Sequence, residues 1–355
     1  MYSESDIDQA IEAGVMPAAV ATAFRDHVAA LRATPAVDEE HFRFLTGFND
    51  IFVTIAILLL LVAAAQIGTL INGAIGALLV ASLSWALALY FTARRRMALP
   101  SIVLLISFVG GVTATIAIAL ATRWPATGDQ QQAGMLTLAS AAGAVAAWAH
   151  WRRFQVPITP AAGAAAVVAL STGVLLWAVP AARSATSLFV LLGGAAVFVY
   201  AMRWDLSDPR RETRRADVAF SLHLLAAPLI AHPTFQLLGV FGGDLGWGRA
   251  LLVLLLYIAF AAIALIVDRR ALLVSSLAYV LYAMASLIRT TGVVELSIGL
   301  TALVIGSALL SLSAFWQPIR SALLARLGPA ADRLPPARQQ RSDMAPPPGD
   351  SATIA

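Results

Sequence analysis

From Ile51 to Ile319 the chain alternates long apolar stretches that carry no charged residue with short segments that carry arginine. A helix needs about 20 apolar residues, at about 1.5 Å each, to cross a hydrocarbon core about 30 Å thick. The uncharged run from Ile51 to Ala93 is roughly twice that length, so it predicts two helices. Gln66, Gly68, Asn72 and Gly73 mark the turn between them, because polar and glycine residues punctuate an apolar run. Further spans are predicted over Met97–Thr122, Ala133–Ala149, Pro160–Pro180, Ala185–Met202, Val218–Val240, Ala250–Val267, Ala271–Ile288 and Leu296–Trp316. The fold class expected is an all-α polytopic transmembrane bundle of about ten spans.

The arginines test that count. With a cytoplasmic N-terminus, 20 of the 24 basic residues fall in the tails and in loops on the cytoplasmic side. Only Arg123, Arg183, Arg249 and Arg289 fall outside. A missed or extra span would invert every later loop and destroy this alternation, so the positive-inside rule predicts both termini in the cytoplasm. Trp124, Trp148, Trp151, Trp177, Trp204, Trp247 and Trp316 fall at or near predicted span ends, where an indole prefers the interface; Trp85 lies inside a span.

Composition narrows the class. Only 12% of residues are charged and 59% are hydrophobic, against about 25% charged in a typical soluble domain. There is no cysteine, which excludes disulfides, thiolate metal sites and cysteine nucleophiles. All basic residues are arginine, a pattern that fits a GC-rich bacterial genome, and the expected location is the bacterial inner membrane. Because the arginines lie in short loops and a tail, bilayer retention accounts for them and nucleic acid is not an expected partner. The partners expected are the lipid bilayer itself and anionic lipid headgroups at the arginine loops. The polar, acid-rich first 47 residues do not read as a secretory signal peptide.

Residues 1–36 are expected to form a small cytoplasmic helical hairpin. Ser5 and Asp8 suit a capping box, Gly14 a helix stop, and Pro17 the first turn of a second helix. Val20, Phe24, Val28 and Leu31 make one apolar stripe on that second helix. Such a pair either caps the membrane domain or docks another protein. Residues 37–50 read as an amphipathic interfacial lead-in, residues 51–319 as the membrane domain, and residues 320–355 as a cytoplasmic tail, disordered from about residue 329.

Polar groups inside a bilayer are costly and therefore functional candidates. Those singled out are Asn49 and Asp50 at the mouth of the first span, Glu295 at the start of the last, and His223, His232 and Gln236 on the seventh. Nine residues separate His223 from His232, which on an ideal helix places them on opposite faces, whereas His232 and Gln236 share one. These groups either hydrogen-bond neighbouring helices or line a solute path along a helix that Pro228 and Pro233 kink. The acids and arginines of 203–217 read as a solvated, self-paired loop. No metal site, cofactor or catalytic motif is expected, since His-Glu-x-x-His, Gly-x-Ser-x-Gly and phosphate-loop patterns are missing.

Two segments, Asp6-Ile7-Asp8-Gln9-Ala10-Ile11-Glu12-Ala13-Gly14-Val15 and His41-Phe42-Arg43-Phe44-Leu45-Thr46-Gly47-Phe48-Asn49-Asp50-Ile51-Phe52, carry a resemblance. A short hairpin of this kind ahead of many spans resembles the uncharacterised bacterial DUF2157-type membrane proteins, over roughly the first 60 residues. That resemblance implies no activity and no site residues. Ten spans with both ends inside also resemble the drug/metabolite transporter architecture of two inverted five-span repeats. No echo of sequence links the two halves here. The expectation is a non-enzymatic membrane protein, a scaffold or docking protein acting through its N-terminal hairpin; the alternative is a small-solute transporter.

Overall fold

The computed structural model describes residues 4–24, 48–208, 211, 213–240, 247–270, 273–277, 281, 306–307 and 310–327. Among these, every regular element is a helix. Helix α1, Glu4–Glu12, stops where the sequence requires. Gly14 adopts φ +68°, a left-handed conformation that glycine takes without steric penalty. The Val15 amide bonds the Ala10 carbonyl and the Gly14 amide bonds the Ile11 carbonyl, both at 3.0 Å, which are the two bonds of a Schellman turn. A second helix, α2, covers residues 18–24, with the Pro17 carbonyl accepting from Val20 and Ala21. The remainder of the expected hairpin, and the lead-in as far as residue 47, lie outside the described residues.

Among the described residues, seven helices are long and apolar enough to cross a membrane. They are α3 (Phe48–Thr69), α4 (Gly73–Phe91), α5 (Ala98–Arg123), α6 (Asp129–Phe154), α7 (Thr159–Ala178), α8 (Thr186–Leu206, led by a 3-10 turn at Pro180–Ala185) and α9 (Arg214–Leu237). They coincide with the first seven expected spans. The alanine-rich fourth exceeds its apolar stretch at both ends, and 26 residues at about 1.5 Å each are ample to cross. An eighth apolar helix, α10, runs Trp247–Val267. The expected ninth and tenth spans lie almost wholly outside the described residues, and α11, Trp316–Leu327, follows them.

Consecutive helices pack as antiparallel neighbours: α4 on α5, α5 on α6, α6 on α7, and α8 most closely on α9. α3 lies against both α4 and α5, and α7 touches both α8 and α9. Small residues permit the close approaches. A Cβ on Gly194 of α8 would lie 2.8 Å from the Leu229 carbonyl of α9, and one on Gly68 would lie 2.6 Å from the Gly76 Cα across the α3–α4 turn. Phe52, Ile55 and Leu59 on α3, and Leu251, Leu255 and Ile258 on α10, stay exposed. Apolar surface of that extent, on helices of membrane-crossing length, is covered by lipid rather than water.

The two ends of the bundle differ. Arg96, Arg152, Arg153 and Arg214, from three separate turns, line a single cavity at one end. At the other, Arg183 pairs with Asp129, and the Gln130 amide donates to the Trp177 carbonyl at 2.9 Å.

Candidate functional site

The α8–α9 turn is closed by its own side chains. Asp208 Oδ2 accepts from the Thr213 amide at 2.9 Å and from its hydroxyl at 2.7 Å. Thr213 Oγ1 in turn caps α9, accepting from the Arg215 amide at 3.2 Å. This turn holds the last residues of α8 against the first turns of α9, and sets Asp205 facing His223.

Asp205 is 1% exposed and His223 2%. Asp205 Oδ2 lies 2.8 Å from His223 Nε2 and accepts from Arg269 Nε at 3.2 Å. Oδ1 accepts from Arg269 Nη2 at 2.5 Å, so guanidinium and carboxylate meet fork to fork. The same Nη2 reaches the Ala216 carbonyl at 3.5 Å, and the guanidinium lies over the Phe220 ring. Arg269 follows the end of α10, so the contact ties α8, α9 and α10 together. An isolated buried carboxylate would cost several kcal/mol, and paired donors offset that penalty.

A second carboxylate extends the network. Asp268 Oδ2 accepts from Arg211 Nη1 at 3.0 Å, and its Oδ1 accepts from Trp316 Nε1 at 2.8 Å. Arg211 Nη2 also reaches the Asp268 carbonyl at 3.3 Å. Arg320 on α11 is fully buried; its Nε donates to the Leu265 carbonyl at 2.9 Å and stands 3.8 Å from Asp268 Oδ1. Both Arg211 and Asp268 take left-handed backbone conformations, φ +57° and φ +61°, which for non-glycine residues cost about 1–2 kcal/mol each. The contacts of these two side chains hold the turns in that shape. Expected as a solvated, self-paired loop, the 203–217 segment is instead partly buried: Asp205 and Asp208 are both interior, and Asp205 bonds residues 18 and 64 positions away.

The sequence candidates separate. His223 enters the network. His232 and Gln236 are exposed on the opposite side of α9 and do not join His223. Asp50 is buried near the start of α3 and Asn49 beside it is exposed. Glu295 lies outside the described residues. Among the described residues no group of three histidine or carboxylate side chains could hold a metal ion.

Arg211, Arg269 and Arg320 served in the sequence only as markers of topology, and Asp268 was not singled out at all. Nor was His150, a fully buried residue near the end of α6. Its Nδ1 is 3.4 Å from Thr159 Oγ1, and its ring stands among Trp85, Phe108 and Phe154. The available signal was that both Asp205 and Arg269 border long apolar runs, where an ionisable side chain can turn inward.

No protein-family model matches the chain, and neither a curated protein nor a solved structure does. Fold and site define a helical, multi-pass, membrane-embedded protein whose helix ends are locked by a buried ion network.

Proposed function

We propose that the chain is a non-catalytic scaffold of the bacterial inner membrane, with about ten spans and both termini cytoplasmic, which engages a protein partner through its N-terminal hairpin. The observation that carries this reading is that Val15, Val20 and Phe24 lie exposed on the acidic, polar N-terminal segment, Val15 at 80%. Apolar side chains left open outside the apolar spans are what a docking element presents. The arginine sorting supports the orientation. The ion network suits the role by fixing the arginine-rich face as a rigid platform.

A photo-crosslinking residue placed at Phe24 in the full-length protein tests the idea in native membranes. A discrete adduct abolished by Val20→Asp supports docking. Absence of any adduct from protein that is folded and correctly inserted would sink it.

A second reading, a small-solute transporter, is favoured by the Asp205–His223 contact, because an ionisable pair buried within a membrane helix bundle is a candidate for carrying protons or solutes. Vesicles bearing the wild type or a His223→Ala/His232→Ala variant can be loaded with a metabolite mixture and compared by mass spectrometry. A solute accumulated only by the wild type supports transport through these residues; equal accumulation removes them from any mechanism.

A further inference from the structure

The cavity of about 560 Å³ at the arginine-rich end belongs to neither reading above. Its walls come from the α4–α5 turn, the first turn of α5, the α6–α7 turn and the start of α9. Four arginines, Arg96, Arg152, Arg153 and Arg214, line it against a single acidic residue, Asp217. Among the described residues no carboxylate lies within ion-pair distance of Arg96, Arg152 or Arg153. Arg152 lies over the Trp148 ring and Arg153 over the Phe154 ring, and Arg214 donates to Gln155 Oε1 at 3.1 Å. Stacked guanidiniums keep their donors available while the aromatic contact limits their motion.

Thr92 is the second observation. It lines the cavity, is 8% exposed, and its Oγ1 has no hydrogen-bond partner. Elsewhere in the bundle threonines return their hydroxyls to a carbonyl one turn back, as Thr54, Thr113, Thr137 and Thr234 do. Thr92 forgoes that bond, and its Oγ1 is closed off from the cavity that the residue lines, so a turn about χ1 is what brings this unpaired hydroxyl to a ligand there. Met97, which precedes α5, makes no side-chain cap, so the positive end of that helix also opens here. Met97, Val156 and Ile158 complete an apolar side.

We propose that this cavity binds a phosphate ester, its phosphoryl oxygens held by Arg96, Arg152, Arg153 and, once its side chain turns inward, the Thr92 hydroxyl, with an adjoining apolar group against Met97 and Val156. Guanidinium forks match phosphate oxygens bidentately, and a volume of this size accepts more than a bare ion. An anionic phospholipid headgroup and a soluble phosphate ester share this chemistry.

The test uses full-length protein in phosphatidylcholine nanodiscs, titrated separately with glycerol 3-phosphate and with short-chain phosphatidylglycerol. Saturable binding of the first assigns a soluble ester; binding of the second alone assigns a lipid headgroup; either supports the site. Arg152→Gln/Arg153→Gln is expected to weaken binding about a hundredfold and Thr92→Val about five- to tenfold. Arg94→Gln/Arg95→Gln removes the same charge beside the cavity and is expected to change affinity less than about threefold. Thr92→Val is nearly isosteric, so it reads the site even where the arginine variants fold poorly. No saturable binding of either probe, or equal losses in the two arginine pairs, would overturn the proposal.

Discussion

At the scale of single residues, Asp205 is the position on which most of the buried polarity converges. Three donor atoms reach its two oxygens, two of them from one guanidinium. Removing the acceptor leaves Arg269 charged and His223 unbonded in the interior, since arginine cannot shed its proton. Asp205→Ala is therefore expected to destabilise the protein by about 3–5 kcal/mol, read from unfolding in mixed micelles. Asp205→Leu/Arg269→Met, which removes both charges, should cost clearly less than the two single changes added together. Additive losses would mean that the two groups do not act as a pair. His223 was legible as a polar group in an apolar run. Its partner was not, because a charge beside a predicted loop reads equally well as solvated.

At the scale of helices, glycine content did not reveal which glycines sit at crossings. Gly110 has nothing within 4 Å of where a Cβ would stand, while its neighbour Gly111 would meet the Ala77 carbonyl and the Ala81 amide at 3.0 Å. Gly194 faces α9 directly, with the Leu229 backbone at 2.8 Å, whereas Gly193 beside it faces Val168 of α7. Gly194→Ala should cost about 1–3 kcal/mol by pushing α9 away from α8. By contrast, Gly110→Ala should be neutral or stabilising by about 0.5–1 kcal/mol, because alanine restricts the unfolded chain more than glycine does. The same unfolding measurement checks both, and a loss at Gly110 equal to that at Gly194 would contradict the packing. Small-residue spacing says that helices can approach; only the crossing says which positions must stay small.

At the scale of the whole molecule, the arginine alternation and the geometry agree on one point: loops assigned to a common side meet at one end of the bundle. The absence of cysteine makes the orientation testable, since a single introduced thiol is the only one present. Gly128→Cys should react with an impermeant maleimide in intact spheroplasts, whereas Arg95→Cys and Ala355→Cys should react only after permeabilisation. Labelling of Ala355→Cys from outside would require an odd number of spans and overturn the ten-span reading. Apolar run length and charge sorting are one-dimensional properties, set by bilayer thickness and by the side on which arginine is retained, so the sequence by itself determined the helical class and where along the chain the seven membrane-length helices among the described residues fall, though not their ends. Which polar groups face inward depends on how helices rotate and cross. Only the tertiary structure decided that Asp205 meets His223 and Arg269, that His232 turns away, and that arginines from three turns enclose one cavity. The physical reason is that a charge at a helix end stays in water unless packing supplies a buried partner, and where that partner stands is a matter of how the helices cross.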